Sequence, residues 1–449
     1  MSGMPLSQAF LFLASVIILI VAIQRQHLHP FLAIVVVASA FGLAAGFSTG
    51  LLGKAFGTGF SQTIYSPGLV IVAAGFVGGL AEGTAAADRL IAAVGRWRWL
   101  GPTRISTLFG LIAGLGASPA AAFALLTPLL RALGGGAAPR REAVIVAPAL
   151  AISAGHGLLL FSPVPIAAAS ILGAAWSRVA LFGVPVAILL VVIGAAWTRW
   201  LPMNAATQPP IQEPPLLVEK RGGWSTIVLL LATAIPLLML MVQSLGDVPS
   251  EPFGGGPARE MILGLGRPLI LFLVALGIMI AGLWPLSRKL LADPAWSTRI
   301  LGNVSAILLT VAAAGGLQRL CQETGMAELL GERLLGWHAG VLVPFLIAAL
   351  MKTLQGSSLV AAITTAGMLQ PLLLPLGLGD ESGRALATLA IGAGAMTLSH
   401  VNDEYFWLVA ASAGLSPLRA LAAITAGTLL QGLVAIAALF VLSALFSGV

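Results

Sequence analysis

Continuous apolar runs of about 17–25 residues recur along this chain, broken by short charged or Pro- and Gly-rich stretches. That is the length a helix needs to cross a bilayer. Runs near 8–24, 30–47, 67–93, 142–172, 179–197, 225–243, 267–286, 300–318, 385–411 and 418–446 predict about ten spanning helices. The runs do not alternate apolar with polar residues, as the strands of a membrane barrel would.

Composition agrees. Only 9% of the 449 residues are charged and 58% are apolar, with a mean hydropathy of +1.01. A soluble domain carries about 25% charged residues. The expected class is therefore an all-α polytopic protein of a bacterial inner (plasma) membrane, with the lipid bilayer as its first partner. The net charge of +7 reads as cytoplasmic loops rich in Lys and Arg. The basic loops lack the folded context of a nucleic-acid module, so no nucleic-acid partner is expected. One cysteine, Cys321, excludes an internal disulfide and makes a thiol metal cluster implausible. The run Ala9 to Ile23 has no cation before it and Arg25 after it, the reverse of a cleaved leader. It is expected to be a retained first helix. Trp97 with Trp99, and Trp197 with Trp200, suit interfacial anchors.

Two segments, about 105–130 and 339–375, are long, rich in small residues and interrupted near their middle by Pro, Gly, Ser or Thr. Placing the N-terminus outside puts roughly twice as many cations in the inner loops as in the outer ones. With that orientation, both ends of 105–130 face the cytoplasm, next to Arg104 and Arg131. The segment then enters and leaves on one side, as a re-entrant hairpin, and 339–375 does so from the other side.

Short stretches repeat in the same order in the two halves. Gly78-Gly79-Leu80 matches Gly315-Gly316-Leu317, and Leu150 to Gly155 matches Leu389 to Gly394. Ser162-Pro163-Val164-Pro165 then takes the place of Ser399-His400-Val401-Asn402. Halves that repeat in sequence but face opposite ways are the plan of secondary transporters. The expected division is a first inverted repeat over 1–200, a cytoplasmic linker over 201–223 and a second repeat over 224–449.

A hairpin tip or helix break at membrane depth survives only where protein or a water-filled cavity covers its backbone. The same breaks aim helix N-termini at one point, and their free N–H groups favour a carboxylate. A small organic anion is therefore the expected ligand. The substrate-binding candidates are Ser118 at the first tip, Ser162 at the first break, and Gln355, Gly356, Ser357 and Ser358 at the second tip. Thr364, Ser399 and Asn402 join them. His156, His400, Asp403 and Glu82 are the candidates for carrying a coupling proton, Glu82 because it falls near the middle of the predicted helix 67–93. Charges at mid-bilayer cost about 2.5–3.5 kcal/mol each on insertion scales and usually face a pathway or a partner. Asp403 and Glu404 fit that description, with the alternative that both lie past the break in the inner interface. Lys352 either lends positive charge to the site or snorkels. For Ser118 or Thr364 alone, a packing role is an equal alternative.

These residues also resemble a known family. Gly356-Ser357, the run Ala361 to Gly367, Ser399-His400-Val401-Asn402-Asp403 and Phe406-Trp407 are similar to the gluconate:proton symporter (GntP) family. The stretches around His156-Gly157 and Pro163-Val164-Pro165 look like their first-half counterparts. The resemblance implies an ion-transporter superfamily fold and uptake of a sugar acid such as gluconate together with a proton. It also implies a homodimer that moves its substrate domain as an elevator. The chain departs from the family pattern at Ser118-Pro119-Ala120-Ala121, at Ser162-Pro163-Val164-Pro165, at Lys352 and at Gln355. The substrate therefore stays open among gluconate, another hydroxy acid, a di- or tricarboxylate and an amino acid. An intramembrane enzyme is the alternative from another class. No His-Glu-x-x-His or Asp-rich pair supports it, and no catalytic residue, metal or cofactor is expected.

Overall fold

The apolar runs fold as helices, and proline marks where many begin. A computed structural model describes residues 4–82, 84, 86, 89–90, 92, 101–116, 118–134, 138–160, 162–201, 223–246, 254–337 and 339–446. Residues 202–222 of the expected linker and the expected anchors Trp97 and Trp99 lie outside the described residues. In chain order the helices are α1 (Met4–Gln24), α2 (Pro30–Ala44), α3 (Thr49–Thr63), α4 (Leu69–Glu82), α5 (Pro102–Ala113), α6 (Pro119–Leu133) and α7 (Ala138–Leu158). There follow α8 (Pro163–Leu172), α9 (Trp176–Trp200), α10 (Trp224–Gly246), α11 (Pro257–Leu265), α12 (Pro268–Gly282), α13 (Leu286–Leu291) and α14 (Pro294–Glu323). The last are α15 (Met326–Gly331), α16 (Leu342–Gln355), α17 (Ser358–Leu369), α18 (Glu381–Met396), α19 (Glu404–Ala413), α20 (Pro417–Ala420) and α21 (Ala426–Phe446). Pro30, Pro102, Pro119, Pro163, Pro268 and Pro294 each open a helix, where the missing N–H costs nothing and φ is already set.

Among the described residues, seven helices are long and apolar enough to cross a membrane, or eight if the pair α11–α12, bent by 58°, is one span. That is fewer than the ten expected, for identifiable reasons. α2 is 15 residues long, and the predicted helix 385–411 is split into α18 and α19. The predicted helix 67–93 is also different. It begins at Thr49 and runs to Glu82 through a π-helical turn at Ile64–Gly68, where Pro67 breaks the α-helical bonding. α3 carries four glycines, Lys54 and several hydroxyls, so it lacks the apolar run that marks its neighbours. Phe10, Ile18, Val36, Val192, Phe440 and Leu445 on the outer helices are exposed, an outward apolar surface that suits lipid.

Two helix–turn–helix pairs, α5–α6 and α16–α17, occupy the segments singled out by their small residues. Two broken helices, α7–α8 and α18–α19, follow them in the chain. α5 packs on α7 as α16 packs on α18, while α17 reaches across to α8 and α6 to α19. α7 and α18 cross at Gly157 and Gly392. A Cβ added at Gly392 would lie 1.9 Å from the Gly157 carbonyl oxygen, so only glycine allows the backbones this close.

Candidate functional site

Serine begins the second arm of each helix pair. Ser118 and Ser357 have extended backbone and stand at the N-caps of α6 and α17. Their Oγ atoms accept from Ala121 N and Val360 N, each at 3.3 Å. Each cap satisfies one of the free N–H groups at its helix start and leaves others pointing outward. The turn before Ser357 depends on Gly356, whose φ is +78°. A Cβ there would meet the Asn402 carbonyl oxygen at 2.4 Å. Glycine thus both makes the turn and lets it press against the break between α18 and α19.

That break, residues 397–403, is irregular backbone held by side chains. Leu398 has φ +57°, a strained value for a non-glycine residue. Ser399 N donates to Thr428 Oγ1 at 3.2 Å, and Ser399 O accepts from Thr425 Oγ1 at 2.6 Å. Trp407 Nε1 donates to Val401 O at 2.7 Å. The peptide groups freed by the break therefore find partners inside the protein.

Asp403 closes the break as N-cap of α19. Its Oδ1 accepts from Tyr405 N at 2.9 Å, and its Oδ2 accepts from Lys352 Nζ and Ser399 Oγ, both at 2.6 Å. Lys352 Nζ also donates to Gly356 O at 2.6 Å. The side chains of the Lys352–Asp403 pair are only 4% and 6% exposed, so each charge relies on the other and on these bonds.

A cavity of about 200 Å³ lies where these parts meet. Its wall is formed by the starts of α6, α17 and α19, together with Ser153 and His156 of α7, Gln318 of α14 and Lys352 of α16. It is below the ~300–1,000 Å³ of drug-sized sites, so it suits a small metabolite better than a lipid or a peptide. Glu404 borders it and accepts from Thr63 Oγ1 at 3.0 Å. The α6 and α17 starts carry neutral serine caps, whereas the α19 start is already met by the Asp403 carboxylate. The first two therefore present uncompensated partial positive charge to the cavity.

Of the residues expected from sequence, Ser118, His156, Gly356, Ser357, Ser358, Ser399 and Asp403 line this cavity. The others are placed elsewhere. The Gln355 side chain turns away, its Nε2 donating to Glu328 Oε1 at 2.5 Å. His400 Nε2 and Asn402 Nδ2 both reach Thr353 O, each at 2.9 Å, and so pin the break to α16. A carbonyl only accepts, so that nitrogen of His400 carries the proton. Ser162 donates to His156 O and staples the first break from inside. Thr364 is half-buried on α17, away from the cavity wall. Glu82 is exposed and is the last residue of α4 rather than a mid-helix group. Ser153 and Tyr405 were not foreseen. Ser153 lies three residues before His156 and so on the same helical face, a signal the sequence did contain.

Comparison with known proteins follows the same outline. The family described as GntP family permease matches residues 7–445. A gluconate permease of Pseudomonas aeruginosa is 29% identical over 419 residues, covering 88% of this chain and 89% of its own length. A gluconate permease of Zymomonas mobilis is also 29% identical, over 422 residues with the same coverage. The low-affinity gluconate transporter of Escherichia coli is 26% identical over 405 residues, again with 88% and 89% covered.

Proposed function

The chain belongs to the GntP permease family, and from that premise we propose that it imports gluconate or a related sugar acid together with protons. It is a multi-pass membrane permease and not an enzyme, as its relatives are. The observation that carries the substrate reading is the cavity with two serine-capped helix starts and the Lys352 ammonium on its wall. Outward N–H groups at two helix starts hold a carboxylate without burying a new full charge. Ser153, Ser358, Ser399 and Gln318 stand around them as partners for the hydroxyls of a sugar acid. The full-length similarity to gluconate permeases supports the same choice.

The transport mechanism we propose is an elevator, built on inverted repeats over 1–200 and 224–449. α5–α6 and α16–α17 act as re-entrant hairpins from opposite faces, and the dimer supplies the fixed part. The matched sequence stretches support this, since Leu150 to Gly155 falls in α7 and Leu389 to Gly394 in α18, each just before a break. So does the reciprocal packing of α17 on α8 and α6 on α19. Substrate and proton enter together from the outer face and leave into the cytoplasm.

Uptake by the purified protein in liposomes tests this. Labelled gluconate should accumulate under an imposed inward proton gradient, and an uncoupler should abolish the accumulation. Proton-driven uptake of a dicarboxylate or an amino acid, but not of sugar acids, would reassign the substrate. Gluconate accumulation that survives collapse of the gradient would remove the proton.

A further inference from the structure

Two adjacent carboxylates end the second break, and of the two only Asp403 forms a salt bridge among the described residues. Asp403 is held by Lys352, Ser399 and its own helix start. Glu404 borders the same cavity and accepts from one neutral donor, Thr63 Oγ1. Thr63 is brought there by the close packing of α3 on α14, where a Cβ on Gly315 would lie 2.0 Å from Thr63 Oγ1. It stands immediately before the π-helical turn at Ile64–Gly68, a kind of distortion that gathers at functional sites. We propose that Glu404 is the group that carries the coupling proton, and that Thr63 is the residue that positions it. The inference rests on the symport of an organic anion proposed above.

The charge balance around the cavity is the argument. Lys352 contributes one positive charge, and Asp403 and Glu404 each contribute one negative charge. The starts of α6 and α17 add about half a positive charge each. The α19 start adds about as much again, so with Glu404 ionised and no substrate the sum is within about half a charge of zero. A carboxylate substrate alone shifts it by about one negative charge, and a proton alone by about one positive charge. Substrate and proton together restore the charge of the empty site. The empty and fully loaded states thus cross the apolar barrier with the same charge, and the proton offsets the charge that the substrate brings. On the outer side the Glu404 carboxylate takes a proton from water and forms an O–H bond. On the inner side it returns that proton to water, with no change of oxidation state.

Other titratable groups surround this position. Asp403 and Tyr405 are on or beside its own helix, Lys352 is on α16, His156 is on α7 and His400 is in the break. On α14, Arg319 pairs with Glu323 at 2.5 Å. At their far ends, α6 carries Arg131 and α7 carries Glu142, which pairs with Arg419 of α20 at 3.1 Å. Asp403 is committed to Lys352, and His400 to Thr353 O. A proton on His156 would place a second cation in the cavity with Lys352, whereas a proton on Glu404 neutralises a carboxylate that, among the described residues, has a hydroxyl but no salt bridge.

The test uses two readouts on the same liposomes. One is exchange of external labelled gluconate for internal gluconate at equal pH, and the other is accumulation driven by a proton gradient. Glu404→Gln, a neutral mimic of the protonated acid, should keep exchange and lose gradient-driven accumulation tenfold or more. Accumulation at the wild-type level by Glu404→Gln overturns the inference and leaves the symport reading standing. Loss of exchange as well by a folded variant also overturns it, since Glu404 would then serve substrate binding. So does loss of coupling by His156→Gln with exchange kept. Failure of the wild type to accumulate any acid sinks the underlying reading, and the inference with it. If Glu404→Gln is not monodisperse, Thr63→Val decides. Removing the donor that favours the carboxylate should displace the pH dependence of uptake toward higher pH, and an unchanged profile overturns the proposal.

Discussion

Lys352 Nζ lies 2.6 Å from Asp403 Oδ2, and this contact joins the last turn of α16 to the N-cap of α19. The same ammonium donates to Gly356 O in the turn between α16 and α17. One buried cation thus holds the turn and the break in register, so that the helix starts at Ser357 and Asp403 face a common space.

Breaking this pair should cost more than removing it. Asp403→Asn leaves a buried ammonium without its counter-charge, at a cost of about 3–5 kcal/mol. The double variant Lys352→Met with Asp403→Asn should recover a large part of that loss. Thermal unfolding in detergent of the two singles and the double checks this as a mutant cycle. Additive losses would mean that the two groups do not depend on one another.

The serine caps should matter to affinity more than to folding. Each cap hydroxyl accepts from its own helix and has its proton left to donate to the bound carboxylate. Such a bond to a charged group is worth about 1.5–3 kcal/mol, so Ser357→Ala and Ser118→Ala should each weaken gluconate binding about tenfold to a hundredfold. Equilibrium binding of labelled gluconate by purified variants measures this. Unchanged affinity in both would mean that the serine hydroxyls do not bond the carboxylate.

Gln355 offers a contrast within the same turn. Its amide donates to Glu328, and the residue does not border the cavity. Gln355→Ala should therefore lower stability by about 1–3 kcal/mol, by leaving Glu328 unpaired, while changing the KM for uptake less than Ser357→Ala does. A larger KM effect at Gln355 would place its side chain in the substrate path.

Gly392→Ala tests the crossing of α7 and α18. The added methyl would lie 1.9 Å from Gly157 O, and forcing such a contact costs about 1–3 kcal/mol or more. Reduced melting temperature and yield are expected, whereas Gly277→Ala, with nothing within 4 Å of its added Cβ, should be silent.

The membrane class and most helices were legible because burial in lipid leaves a continuous apolar run. The two helix pairs and both breaks were legible because Gly, Pro and Ser interrupt such runs at few places. α3 was not, because its four glycines, its hydroxyls and Lys54 interrupt the apolar run, while Ala55, Gly59 and Thr63 form the buried stripe, with Gly59 against Gly315 of α14. Within the breaks, periodicity no longer says where a side chain points. His400, Asn402 and Asp403 are consecutive or nearly so, yet the first two grip Thr353 O and only the third borders the cavity. Glu404 was visible as a charge beside the predicted helix break, but its contact with Thr63 spans 341 residues of sequence and could not be read from spacing.

The most direct test of the account is the structure of the protein determined with gluconate bound. The account predicts the carboxylate within hydrogen-bond distance of the backbone N–H groups that begin α6 and α17, beside Ser118 and Ser357, with the hydroxyls toward Ser153 and Ser399. Gluconate bound elsewhere, or a cavity left empty at concentrations that saturate uptake, would contradict it.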